Sequence, residues 1–161
     1  MIQNSHILLK RILNDMMGTK IYLDTNILLD LLIKERTSSS YSLKVFSEIK
    51  EKRFEAVLST QSIIDSYYTA YKNGISKKEI DLVVEWMMNH INVRPIGFFD
   101  MLKALKSNDK DLEDAAQIAL AKSEYCDIFL TSDTDILSRE RDDFMLFLSP
   151  KELMEKMTEG V

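Results

Sequence analysis

Lys20-Ile21-Tyr22-Leu23-Asp24-Thr25-Asn26-Ile27-Leu28-Leu29-Asp30-Leu31-Leu32 joins two patterns at a carboxylate. The apolar run before Asp24 is short and rich in β-branched and aromatic side chains, which reads as a strand buried on both faces. After it, Ile27, Leu28, Leu31 and Leu32 recur at i, i+3, i+4 spacing, the stripe of a helix. Asp24 thus stands at the carboxyl end of a strand just before a helix, where open α/β sheets bind their ligands. Asp, Thr and Asn are also good N-caps, so this stretch alone leaves capping and chemistry both open.

Outward from it, strand patterns keep alternating with helix patterns. Glu55–Ser59 reads as a second strand and runs through Thr60-Gln61-Ser62 into a helix carrying Ile63, Ile64, Tyr67, Tyr68 and Tyr71, with Asp65 in its first turns. Asn73-Gly74 stops that helix, and Ser76 to Glu79 has the spacing of a capping box for the next. Asn92–Ile96 suggests an edge strand, because Pro95 cannot donate to a ladder. A helix from Phe98 to Lys106 follows, then the alanine-rich helix opened by Asp111-Leu112-Glu113-Asp114, whose small residues allow close packing on a sheet. Asp127–Thr131 and Phe144–Leu148 complete the strands, and Ser149-Pro150 opens a last helix with Pro in its first position. This alternation predicts a mainly parallel sheet of about five strands with helices on both faces.

At 161 residues the chain fits one domain. The segment before the first strand, 1–18, is read as an extension without an assigned role, and 19–161 as the domain. Hydrophobic residues at 45% and charged residues at 29% exclude fibrous and disordered classes. The single cysteine, Cys126, reads as a small core residue, and His6 and His90 lack partners at zinc-ligand spacing. Met1–Lys10 lacks the features of a signal peptide and no run reaches membrane-spanning length, so a cytoplasmic protein with no membrane partner is expected. A formal net charge of −5 argues against one dominant basic surface, while leaving room for a local basic rim. Lys34, Arg36 and Lys110 are candidates for such a rim.

Three segments place acids at strand ends or helix starts: Asp24, the Asp111–Asp114 cluster, and Asp133 with Asp135. Right-handed crossovers bring such ends to one edge of a parallel sheet. Carboxylates gathered there repel one another until some are protonated or a hard cation binds. With oxygen ligands alone the ion is Mg²⁺ or Mn²⁺, which suits hydrolysis of a nucleic-acid backbone. Within the acidic helix start Asp114 is the stronger candidate, Asp111 reads as a cap, and Glu113, about 100° around the helix from Asp114, reads as a solvated acid. A phosphate-handling receiver-like domain shares the strand-end acids, but no Lys stands at Thr131–Asp135 or Leu148–Pro150 to complete it.

The pattern Tyr22-Leu23-Asp24-Thr25-Asn26-Ile27-Leu28-Leu29, then Asp111-Leu112-Glu113-Asp114-Ala115, then Leu130-Thr131-Ser132-Asp133-Thr134-Asp135 resembles the PIN domain, particularly bacterial VapC-like toxins. The resemblance implies a three-layer α/β/α sandwich and a Mg²⁺- or Mn²⁺-dependent ribonuclease, with RNA as substrate, an antitoxin protein as partner and a homodimeric state. It matches Asp24, Asp114 and Asp133 to acidic site positions and Asn26 and Thr131 to the polar residues beside them, with Asp135 as an auxiliary acid. One position departs from the pattern, because Asp65 stands where the family usually supplies a longer Glu. That departure motivates the competing expectation of an inactive PIN-like module that binds RNA or protein.

Overall fold

The structure, a computed structural model, describes residues 12, 18–139 and 144–159. The expected extension 1–18 therefore lies outside the described residues except for Ile12 and Gly18. In chain order the elements are β1 Lys20–Leu23, α1 Thr25–Leu32, α2 Ser39–Lys50, β2 Glu55–Ser59, α3 Thr60–Lys72, α4 Lys77–His90 and β3 Asn92–Arg94. They continue with α5 Phe98–Lys106, α6 Leu112–Ser123, β4 Ile128–Leu130, α7 Thr134–Leu137, β5 Leu146–Leu148 and α8 Pro150–Glu159.

All four strand pairings are parallel, in the order β3-β2-β1-β4-β5. Successive side chains of a strand point to opposite faces, and here the two faces meet different cores. Ile21 and Leu23 of β1, Ala56 and Leu58 of β2, and Ile128 and Leu130 of β4 enter one cluster with Ile27 and Leu28 of α1, Val45 and Phe46 of α2, Met87 of α4 and Leu153 of α8. The intervening Tyr22, Val57 and Phe129 enter a second cluster with Leu120 and Ala121 of α6 and Ile136 of α7. Tyr22 and Phe129 stack across it with centroids 5.1 Å apart. Two cores on opposite sides of one sheet make the three-layer α/β/α sandwich.

The strands lie where expected and β3 is at the edge, but it ends at Arg94, so Pro95 follows the strand and takes no place in the ladder. Three are shorter than their sequence patterns, and the ladder ends where hydrogen bonding passes to the loops: the Thr131 N–H donates to the Leu148 carbonyl and the Asp24 N–H to the Leu130 carbonyl, each at 3.0 Å. The capping box of Ser76 and Glu79 is formed, and Gly74 adopts a φ of +84°, which glycine reaches without strain. The alanines of α6 do more than approach the sheet. Ala115 and Ala116 pack with Ala104 of α5, so the small-residue stripe serves a helix–helix contact. Cys126 is buried, and that burial raises its thiol to about 12. Among the described residues no helix is long and apolar enough to cross a membrane.

Strand order fixes where a ligand can enter. From β1 the chain moves outward through β2 to β3, then returns past β1 to β4 and β5. The order reverses between β1 and β4, and a crevice opens outside the carboxyl ends of strands at such a reversal.

Candidate active site

Asp24 follows β1 and Thr131 follows β4, the two strands flanking the reversal. Asp24 occupies the N-cap position of α1 with extended backbone, but its side chain makes no cap hydrogen bond. Instead the Thr131 hydroxyl donates to Asp24 Oδ2 at 2.7 Å and the Asn26 amide donates to the same oxygen at 3.3 Å. The carboxylate is 3% exposed. Burial pushes its pKa up, the bonds from Thr131, Asn26 and the Thr25 amide oppose that, and the charge of Asp133 pushes it further up. A carboxylate that forgoes its cap and is kept close to a like charge is costly to hold without a counter-ion.

Asn26 is itself held in place. Arg36 Nη2 donates to Asn26 Oδ1 at 3.1 Å, which turns the Asn26 amide nitrogen toward Asp24. Arg36 is anchored by Asp30, fully buried, through Nε at 2.7 Å, and Ser42 donates to the other Asp30 oxygen at 2.6 Å. Asp30 interrupts an apolar stripe in α1, and that interruption was the available sign that it needed a buried partner.

Asp114 lies in the first turn of α6. Its carboxyl rises to about 6 through burial first and Asp111 second; Arg139 opposes the rise, while Asp24 and Asp133 add to it. Arg139 Nη2 contacts Asp114 Oδ2 at 3.0 Å, and Arg139 also pairs with Asp109. Asp111 caps α6 as expected, accepting from the Glu113 and Asp114 amides at 2.9 and 3.2 Å. Asp133 caps α7, accepting from the Asp135 amide at 2.7 Å, while its own N–H donates to Thr131 Oγ1 at 3.0 Å. Asp135 is exposed in the first turn of α7.

Glu113 is exposed in the first turn of α6, as expected of a helix-start acid, and also accepts from Gln117 at 3.3 Å. Its pKa is raised by burial, then by Asp65, Asp111 and Asp24, against a hydrogen bond from Gln117. Asp65 receives both its hydrogen bonds from the Gln61 amide, each at 3.0 Å. Asp65 and Glu113 line one cleft of about 540 Å³ on the β2–β3 side. Behind them Gln117, 2% exposed, donates to Glu113 and Thr25 and accepts from Tyr22 and Ser62. Gln117 and Arg139 were missed from sequence; Gln117 sits one turn beyond Glu113, where a polar residue in an alanine helix is informative.

The acids are thus brought into electrostatic reach at one sheet edge, and their donor set, carboxylate and hydroxyl oxygen, fits a hard divalent ion. Among the described residues no three His, Cys, Asp or Glu side chains are already grouped to hold a metal ion. Asp114 instead faces Arg139, and Asp133 the amides of α7.

The PIN domain family model matches residues 20–135, spanning every candidate acid from Asp24 to Asp135. The chain belongs to the PIN domain family. Over 128 residues it is 29% identical to Ribonuclease VapC1 of Aquifex aeolicus (strain VF5), covering 76% of this chain and 88% of that protein. Its fold is similar to VapC20 of Mycobacterium tuberculosis, a Sarcin-Ricin loop cleaving toxin, with a TM-score of 0.60, 11% identity, and coverage of 71% of this chain and 91% of that one. It is also similar to VapBC2 from Rickettsia felis bound to a promoter DNA fragment, with a TM-score of 0.56, 14% identity, and coverage of 81% and 98% respectively. This PIN domain therefore carries its family's sheet, with the buried Asp24 at the point where strand order reverses.

Proposed function

We propose that this PIN domain, spanning 19–161, is a divalent-cation-dependent endoribonuclease and the toxin of a toxin–antitoxin pair acting in the cytoplasm. The observation that carries the reading is the buried Asp24 carboxylate, held by Thr131 and Asn26 instead of capping α1. Likeness to a ribonuclease over most of both chains supports it.

In this reading Asp24, Asp114 and Asp133 hold Mg²⁺ or Mn²⁺, with Asp65 assisting and Asp135 as an auxiliary acid. Such an ion, when bound, acidifies water and stabilises charge on a phosphodiester. Thr131 and Asn26 fix the Asp24 carboxylate so that little reorganisation is needed. Asp114 would have to exchange its contact with Arg139 for the ion in order to ligate. Gln117 occupies Glu113 Oε1, leaving Oε2 to accept a proton in the cleft it shares with Asp65. Asp111 keeps the first turn of α6 in register.

The exposed apolar side chains Ile64, Tyr68, Tyr71, Leu82 and Met88 on α3 and α4 support the expectation of a homodimer, checked by light scattering. A small upstream reading frame whose product neutralises the chain is the observation expected for the antitoxin.

A second reading is a PIN-like module that binds RNA or protein without cleaving. It is favoured by Asp65 in place of a longer acid and by Arg139 on Asp114. End-labelled single-stranded RNA separates the two. Cleavage in Mg²⁺ or Mn²⁺, absent in EDTA and lost in Asp24→Asn, is expected of the nuclease; intact RNA under every condition, with a folded protein, leaves the binding module.

A further inference from the structure

Two clefts flank the acidic centre, and they differ in charge. The cleft on the β2–β3 side contains Asp65 and Glu113. The other, about 560 Å³, opens beyond β4 and β5 between the starts of α2 and α8, and among the described residues no acid lines it. Its wall includes Arg36, Ser38, Tyr41, Ser132 and Lys151. We propose that this second cleft is a nucleotide subsite, in which Arg36 and Lys151 hold a backbone phosphate and Tyr41 stacks a base of the RNA strand flanking the scissile bond. The assignment rests on the ribonuclease reading.

Position argues first. Ser132 lies between Thr131, which holds Asp24, and Asp133, so the cleft and the acidic centre share a wall. Arg36 reaches Asn26, and Asn26 reaches Asp24, so Arg36 itself stands two hydrogen bonds from the buried carboxylate and a phosphate on it one contact further.

Chemistry argues second. Arginine has five N–H donors in a planar fork suited to phosphate oxygens. Here Nε is committed to Asp30 and one Nη2 hydrogen to Asn26, which leaves Nη1 for a ligand while the fork is locked in orientation. Lys151 makes a long, exposed contact with Glu155 at 3.7 Å, a pairing easily exchanged for a phosphate. Ser38 accepts from Ser132 at 3.3 Å, so its own hydroxyl proton remains for an anionic oxygen. The Tyr41 ring is half-buried, with the Lys44 ammonium 5.3 Å from its centroid. Aromatic rings beside cations bind single strands without needing a defined sequence. In a chain of net charge −5, whose active centre repels phosphate, a cationic cleft beside that centre gives the strand a place to be held.

The test measures RNA binding without cleavage, using the Asp24→Asn protein, a short fluorescein-labelled single-stranded RNA and fluorescence anisotropy. Arg36 is left alone because its removal strands buried Asp30. Tyr41→Ala and Lys151→Glu are each expected to raise Kd about fivefold or more, with melting temperatures confirming that both are folded. Lys78→Glu, the same charge change on exposed α4, is expected to shift Kd less than about twofold. Lys151→Ala should also reduce the salt slope of log Kd by about 0.7, the loss of one single-strand phosphate contact. If the parent binds RNA and both cleft variants bind it as tightly, the subsite is wrong and the ribonuclease reading survives. If the parent binds no RNA, both fall together.

Discussion

Replacing Arg139 with Gln should move stability and cation affinity in opposite directions. The guanidinium lies 3.0 Å from Asp114, and the two side chains are 26% and 22% exposed. Exposed pairs contribute about 0–1 kcal/mol and breaking a buried one costs about 3–5; a pair between these extremes contributes about 1–2 kcal/mol. For a chain of this size that corresponds to a fall in Tm of about 2–8 °C in EDTA. In Mg²⁺ the guanidinium and the ion compete for Asp114, so removing about 1.4 kcal/mol of competition lowers the half-saturating Mg²⁺ concentration about tenfold. Differential scanning calorimetry in EDTA and across a Mg²⁺ series reads both effects. An Arg139→Gln protein that is less stable in EDTA yet needs as much Mg²⁺ as the parent, or more, would refute the assignment of Asp114 as a ligand shielded by Arg139.

Asp114 also sets a pH dependence whose sign is unusual for an acid. Its carboxyl is near 6 in the fold against 3.8 ordinarily, so the native state holds the proton more tightly and this contribution is full below about pH 4 and lost as pH rises through about 6. In EDTA the stability gap between Asp114→Asn and the parent should therefore widen in favour of the variant from about pH 4 to about pH 7, and a constant gap by calorimetry counts against the shift. Asp65→Glu restores the missing methylene and should raise the RNA cleavage rate about tenfold, within what a 1 Å change in placement can cost; a slower enzyme argues that Asp65 is not at the reacting centre. Gln117→Leu removes the acceptor shared by the Tyr22 and Ser62 hydroxyls and a donor to Thr25 behind the site, while Ser62 keeps Ser59 and Thr25 as partners, and should cost about 1–3 kcal/mol by urea unfolding. A loss below about 0.5 kcal/mol would show that the network rearranges freely.

The sandwich was legible because its signals are periodic and mutually consistent: a buried strand before Asp24, apolar stripes in the helices, and strand patterns alternating with helix patterns along the chain. Asp24 was legible as a candidate site residue once later acids offered it partners, and the missing cap bond distinguishes its side chain from those of Asp111 and Asp133, which do cap helices. What stayed hidden depended on which way side chains turn. Nothing in the sequence says that Arg139 reaches across to Asp114, or that Gln117 joins α6 to β1, α1 and α3, because both contacts are set by how distant elements pack. Asp30 was readable in part, since an acid within an apolar stripe demands a buried partner, but its use of Arg36 to orient Asn26 required the loop after α1 to be placed.

Calorimetric titration of the metal-free protein with Mn²⁺ bears most directly on the claim that Asp24 belongs to a cation site. The account predicts saturable binding that weakens at least about tenfold in Asp24→Asn, with both proteins folded. Absence of binding to the parent, or equal affinity in the variant, would contradict it.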